Sequence, residues 1–281
     1  MEIIREVKAM KAYVRSIRNK GETICLVPTM GYLHEGHLDL MRMGATMADH
    51  LVISIFVNPT QFGPNEDLDK YPRDMERDEK LAASVGVECI FFPDASQMYP
   101  DGYATYVNVE RITQSLCGAS RPNHFRGVAT VVAKLFNIVE PDFAIFGQKD
   151  YQQLAVIRRM VNDLNMNVKV VAHHTVREKD GLAMSSRNKY LSPDQRRNAL
   201  VLHKALLYAF SLVGSGEKSS AKIREEVMDM IANTPECVID YVEIVDPDTL
   251  EPVESIYADV VMALAVKVGS TRLIDNMTLE V

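Results

Sequence analysis

The sequence predicts an α/β protein, a doubly wound parallel sheet followed by a smaller α+β domain. Three observations lead there. Short apolar runs rich in β-branched residues alternate with amphipathic stretches through the first 175 residues. The pattern then changes to a loop, two helices and a closing set of strands. And the first apolar run breaks directly into a glycine-bearing turn and a helix start, "PTMGYLHEGHLDL" at 28–40, a position where sheets of this kind hold their ligands.

The elements follow in order. Strands are expected at 24–27, 51–57, 87–92, 143–146 and 168–171, each a continuous apolar run, the signature of a strand buried on both faces. Helical periodicity occupies the intervening 36–48, 74–85, 127–140 and 150–164. The segment 59–72, "PTQFGPNEDLDKYP", is too polar and too rich in turn formers for a regular element. It reads as a long loop beside a strand end, where binding residues concentrate. Beyond residue 175, "VREKDGLAMSSRNKYLSPDQ" reads as a loop. A helix is then expected over 193–212, ended by Gly214, Ser215 and Gly216, and a second over 219–232. Strands at 238–245, 260–268 and 273–274 close the chain, with Asp246-Pro247-Asp248 as a turn. The domain boundary is placed near 175, dividing the chain into 1–175 and 176–281.

Bulk properties narrow the function classes. The chain has 281 residues, 47% hydrophobic and 25% charged, as expected for a globular protein with one large or two moderate domains. A net charge of -7 argues against a general nucleic-acid binder. No apolar run approaches the ~20 residues needed to cross a membrane. The first twenty residues are charged and amphipathic and do not read as a secretory signal. Cys25, Cys89, Cys117 and Cys237 are widely spaced with no C-x-x-C pair. They read as reduced thiols of a cytoplasmic protein, with neither a zinc framework nor a disulfide framework.

Chemistry concentrates in two places. In "HEGH", His34 and His37 share one face of a helix start and Gly36 permits close approach. The spacing does not match H-E-x-x-H and no third ligand is evident, which disfavours zinc. Two readings stay open on the residues alone: a polar pair capping a turn, or a phosphate-handling pair at the positive end of a helix. The second place is "GLAMSSRN", 181–188. Its two hydroxyls, guanidinium and glycine-led backbone suit a polyphosphate, although a serine–arginine loop taken alone is ordinary solvated surface.

Together the two motifs resemble the HIGH and KMSKS signatures of the nucleotidylyl-transferase superfamily, with Ala183 at the first lysine position and Arg187 at the last. The ordered set PTMGYLHEGH, NPTQF, YPRD, FGQKDYQQL and MSSRN resembles the pantoate–β-alanine ligase family along essentially the whole chain. That resemblance implies a Rossmann-like first domain and a smaller C-terminal lid domain. It also implies condensation of (R)-pantoate with β-alanine, driven by cleavage of ATP to AMP and pyrophosphate, with Mg²⁺, through a pantoyl adenylate, in a homodimer. Small-molecule substrates are expected, with no nucleic acid and no membrane.

The resemblance also assigns residues. Met30, Gly31, Tyr32, Leu33, His34, Glu35, Gly36 and His37 are implied in ATP binding, with His34 and His37 catalytic and His37 the proton donor. A helix N-terminus favours neutral imidazole, and a bound triphosphate favours the imidazolium. Gly147, Gln148, Lys149 and Asp150 form a second nucleotide stretch; Asp150 also suits a helix cap, and Lys149 a plain surface charge. Val176, Met184, Ser185, Ser186 and Arg187 complete the ATP set, the two apolar residues through backbone contact or packing. Gln61 and Gln153 are implied on pantoate, an amide being able both to donate to and to accept from a hydroxyl-rich acid.

Elsewhere, His124 and Arg126 read as electrostatic helpers or solvated loop. Asp74 and Asp78 are acidic candidates for Mg²⁺, whose ligands are not identified by spacing. His173 and His174 sit at a strand end, where consecutive side chains face opposite ways, so a shared metal is not expected. Two other functions remain compatible with the motifs: a nucleotidylyltransferase acting on a phosphorylated cofactor precursor, and a non-catalytic nucleotide-binding regulator.

Overall fold

Strand β2 (Ile24–Thr29) runs through the middle of a six-stranded sheet, and its residues Ile24 through Val27 are fully buried. The computed structural model describes residues 1–64 and 66–281; Asn65, inside the polar segment 59–72, lies outside the described residues. Besides β2 the sheet contains β1 (Glu2–Ile4), β3 (His50–Ile55), β4 (Cys89–Phe91), β5 (Phe143–Gly147) and β6 (Lys169–His173). Their order is β1-β4-β3-β2-β5-β6, and every pairing is parallel. Besides two single turns at Ala95–Met98 and Cys117–Ser120, the helices in this part of the chain are α1 (Val7–Arg18), α2 (Glu35–Ala45), α3 (Met75–Ala83), α4 (His124–Val139) and α5 (Tyr151–Asp163).

The topology decides where ligands go. From β2 the chain builds outward on one side through β3 and β4, and on the other side through β5 and β6. The order therefore reverses between β2 and β5, which pair through Cys25↔Phe143 and Leu26↔Ala144. A crevice opens beyond the carboxyl ends of strands at such a switch point. The segment starting at Met30 leaves one of these strand ends, and Gly147 is the other.

Two elements at the start of the chain were not expected. α1 buries Met10, Val14 and Ile17, spaced four and three apart as one helical stripe requires. β1, only three residues long, pairs with β4 at the sheet edge, too short for any periodicity to reveal it.

The chain divides into two units. The first comprises 1–110, 121–147 and 153–174, and the second comprises 111–120, 148–152 and 175–281. The second unit contains α6 (Pro193–Asn198), α7 (Val201–Gly214), α8 (Ser220–Ala232) and an antiparallel sheet of β7 (Cys237–Val245), β8 (Val260–Val268) and β9 (Thr271–Leu279). Its core joins Leu202, Leu206 and Ala209 of α7 to Ile223 and Val227 of α8 and to Met262, Leu264 and Val266 of β8. The helix expected over 193–212 is in fact two. α6 is started by a capping box between Ser192 and Gln195, with Pro193 in the first turn, and α7 follows it. β9 is far longer than the expected 273–274, because Asp275 and Asn276 lie buried in its middle and hide its apolar pattern.

Candidate active site

In the first unit, the turn after β2 is built by unusual backbone geometry held from beneath. Gly31 has φ +80° and Tyr32 φ +50°, and a Cβ on Gly31 would lie 2.9 Å from Ile55 Cγ2 and 3.0 Å from Asp78 Oδ2. Only glycine fits there. The Gly31 N–H donates to Thr29 Oγ1 (3.1 Å), whose own hydroxyl donates to the Ser54 carbonyl (2.8 Å). Asp78, buried on α3, accepts from the N–H groups of Tyr32 (2.6 Å) and Leu33 (2.7 Å), one on each oxygen. Burial pushes the Asp78 carboxyl above its usual value, against the pull of these two hydrogen bonds. Asp78 is thus a clamp on the turn, each of its oxygens holding one backbone N–H.

The clamped turn delivers the histidines. His34 is the N-cap of α2, and its N–H donates to His37 Nδ1 at 3.3 Å. The two rings lie 4.0 Å apart, tilted by 31°. Because a backbone N–H can only donate, Nδ1 of His37 is an acceptor here, and the ring proton of its neutral form sits on Nε2. Gly36 is buried between the two histidines.

Gln61 is brought to the same turn. It ends the 3-10 turn Pro59–Gln61, its Nε2 donates to Met30 Sδ (3.3 Å), and its Oε1 accepts from Asn58 Nδ2 (3.0 Å). Asn58, 1% exposed, also donates to the Gly127 carbonyl (3.1 Å) and accepts from the Tyr99 hydroxyl (2.8 Å). Gly127 permits this packing, since a Cβ there would stand 2.4 Å from the Thr60 carbonyl oxygen. His124 Nδ1 lies 2.8 Å from the Gln61 carbonyl, so that histidine supports the glutamine turn. Arg126 stacks over the Tyr106 ring at 3.9 Å. Gln153 lies half-exposed in the first turn of α5.

In the second unit, two of the expected nucleotide segments meet β9. Gln148, Lys149 and Asp150 form a 3-10 turn, and the side-chain amide of Asn276 donates to the carbonyls of Gln148 (2.9 Å) and Lys149 (2.8 Å). Lys149 Nζ stands 4.0 Å from Asp150 Oδ2. Val176 and Met184 are paired across a short hairpin, the Met184 N–H donating to the Val176 carbonyl (2.9 Å). That hairpin is anchored by Arg177, which forks onto both oxygens of buried Asp275 (2.6 and 2.9 Å) and donates to the Gly181 carbonyl (3.1 Å). Residues 186–190 form a further 3-10 turn, capped by Ser185 Oγ accepting from the Arg187 N–H (3.2 Å). Asn276, Asp275 and Arg177 were missed from sequence. The available signal was two consecutive polar residues, Asp275 and Asn276, set between apolar Leu273-Ile274 and Met277.

A parallel sheet with a histidine pair on a helix N-terminus at its switch point defines the class, a nucleotide-handling α/β enzyme. Comparison narrows it. The family model described as Pantoate-beta-alanine ligase matches residues 2–278. The chain is 59% identical over 281 residues to a pantothenate synthetase of Acetivibrio thermocellus, covering all of both chains. It is 58% identical over 279 residues to that of Geobacter sulfurreducens, covering 99% of each. Among solved structures it is similar to pantothenate synthetase from Thermus thermophilus, with TM-score 0.95 and 46% identity over all of both chains. It is also similar to the pantoate-beta-alanine ligase from Francisella tularensis complexed with beta-gamma ATP and beta-alanine, with TM-score 0.80 and 31% identity over 99% of this chain and 97% of that one. The chain belongs to the pantoate–β-alanine ligase family. It is an amide-forming ligase that joins pantoate to β-alanine.

Proposed function

We propose that the ligation proceeds in two steps at the carboxyl edge of the first unit's sheet. The (R)-pantoate carboxylate attacks the α-phosphorus of ATP, pyrophosphate departs, and pantoyl adenylate remains. The amine of β-alanine then attacks the acyl carbon, AMP departs, and the amide of pantothenate is formed. The observation that carries this reading is the His34–His37 pair, set on the N-terminus of α2 by a turn that Asp78 clamps.

Negative charge builds on pyrophosphate in the first step, so donors aimed at its oxygens act most in the transition state. His37, with its proton on Nε2, is the donor to the departing group, and His34 assists. The helix N-terminus at Glu35 and Gly36 cradles phosphate, the N–H groups of 31–34 being engaged within the turn itself. Lys149, Ser185, Ser186 and Arg187 supply further cations and hydroxyls for the triphosphate, Asp150 accepts from a ribose hydroxyl, and Gly147, Gln148, Val176 and Met184 offer backbone. Gln61 and Gln153 hold pantoate.

Mg²⁺ enters with ATP as part of the substrate. Asp78 is committed to the turn, and Asp74 Oδ1 accepts from the Arg77 N–H as the cap of α3. A magnesium ion that keeps its waters and phosphate ligands needs little more from protein. A cytoplasmic location is consistent with four free cysteines, and a homodimer follows from the family resemblance. No helix among the described residues is long and apolar enough to cross a membrane.

ATP–pyrophosphate exchange tests the mechanism. Exchange is expected to require pantoate and to proceed without β-alanine, and addition of β-alanine should divert the intermediate to product. Exchange that needs the amine would sink the adenylate, and exchange without pantoate would point to a different acceptor. Light scattering after size exclusion tests the dimer.

A further inference from the structure

The strongest unassigned cluster lies in the first unit, where β6 ends. Asp39 of α2, His173 and His174 are, among the described residues, the one group of three His, Cys, Asp or Glu side chains whose ligand atoms converge, all within 4.8 Å of one another. The side chains of consecutive residues on a strand diverge, but β6 stops at His173. Past it the alternation lapses, and the two imidazoles stack at 4.3 Å with a 24° tilt. The divergence expected of consecutive strand residues therefore does not hold at this strand end.

The polar geometry around His173 is that of a ligating histidine. Its Nδ1 lies 2.9 Å from the His174 carbonyl oxygen, which can only accept, so Nδ1 carries a proton. A ring held this way by a backbone carbonyl presents Nε2 as the ligand atom, the usual outer-shell arrangement of metal-bound histidine. Nε2 faces Asp39 Oδ2 at 3.4 Å. That is long for a charge-assisted hydrogen bond, which closes to about 2.7–2.9 Å. It matches the separation of two ligands at about 2.0–2.1 Å from a tetrahedral ion, which is about 3.4 Å. The other oxygen, Oδ1, is 3.6 Å from Arg42 NH1, so the carboxylate is oriented with one oxygen toward each partner. His173 is 7% exposed, whereas His174 is exposed. The deep ligand is thus fixed, the outer ring is free to turn onto an ion, and water can take the fourth position.

We propose that Asp39, His173 and His174 form a binding site for a borderline divalent metal ion, Zn²⁺ foremost, with Co²⁺ and Ni²⁺ as substitutes. Two imidazoles and one carboxylate suit these ions and not Mg²⁺, which prefers oxygen in octahedral array. None of the three residues belongs to the set placed on ATP or pantoate.

The test is calorimetric titration of chelator-stripped protein with Zn²⁺, paired with visible absorption on Co²⁺. The unsubstituted chain should bind one tight equivalent, and Co²⁺ should give the intense bands of a tetrahedral nitrogen–oxygen site. His174→Gln and Asp39→Asn, neither a core residue, should each weaken Zn²⁺ at least about tenfold, the lower end of what outer-shell changes alone achieve. Both should melt like the parent without metal and lose the Zn²⁺-dependent rise in melting temperature. His37→Gln serves as control and should retain binding. Failure to bind Zn²⁺, Co²⁺ or Ni²⁺, or binding unchanged in both site variants, would overturn the proposal, as would binding lost only in His37→Gln.

Discussion

His37 and Asp78 do different work within one turn, and substitution should separate them. His37→Ala removes a single donor to the departing pyrophosphate. Pantoate-dependent exchange should fall by about 10²–10³-fold, as on losing one transition-state donor, while the melting temperature stays close to that of the parent. A folded variant with near-normal exchange would refute the role. Asp78→Ala instead leaves the buried Leu33 N–H and the half-buried Tyr32 N–H without their acceptor. Each unsatisfied donor costs about 1–3 kcal/mol, so chemical denaturation should show a clear loss of stability together with loss of activity. Full stability in Asp78→Ala would mean that the turn holds itself. The histidine pair was legible in sequence because motif and strand end coincide. The clamp was not, because Asp78 lies more than forty residues further along and its acidity suggested metal.

At the scale of elements, β9 organises the nucleotide segments of the second unit. Asn276 donates to two successive carbonyls of the 148–150 turn, and Asp275 holds Arg177 at the base of the 176–184 hairpin. Asn276→Asp keeps the shape and loses both donors. With net hydrogen-bond contributions of about 0.5–1.5 kcal/mol each, the KM for ATP should rise several-fold to about a hundredfold while kcat changes less. Steady-state kinetics read the split, and an unchanged KM for ATP would dismiss Asn276 as a positioning residue. Segment 181–188 was expected to be a loop, and a loop that meets the phosphates should gain order when nucleotide binds. It includes one strand of a hairpin and the start of a 3-10 turn, with the Asn188 amide donating to Glu178 Oε1 (2.9 Å) and the Ala183 carbonyl (3.1 Å). Hydrogen exchange with and without an ATP analogue and pantoate tests the remaining expectation, and equal protection in both states would remove it.

At the scale of the molecule, one histidine ties the first unit together at the end of the sheet away from the site. His50 lies between Glu22 (2.8 Å) and Glu88 (2.7 Å), carboxylates that precede β2 and β4. Burial opposes its charge, but the two hydrogen bonds and the two negative neighbours outweigh it and raise the pKa above 6.5. The folded protein therefore binds this proton more tightly than the unfolded chain does. The resulting stability is fully present below about pH 6.5 and is lost as pH rises through the raised folded value. Melting curves of the parent and His50→Gln should differ most at mildly acid pH and converge in alkaline solution. A gap that widens with pH would reverse the assignment.

Alternating apolar runs and helical stripes determined by themselves that the chain is a doubly wound sheet with a smaller second domain. The glycine turn, HEGH and MSSRN identified the chemistry, since strand-to-helix turns and hydroxyl–guanidinium loops act through local backbone geometry that a short stretch of sequence encodes. Tertiary structure alone decided the rest. It brought Gln61 to Met30, made Asp78 a clamp on the turn, stacked His173 on His174 at a strand end, and hid Asp275 and Asn276 inside β9. These outcomes depend on which buried polar group finds its partner, and such partners are mostly distant along the chain and leave no periodic trace.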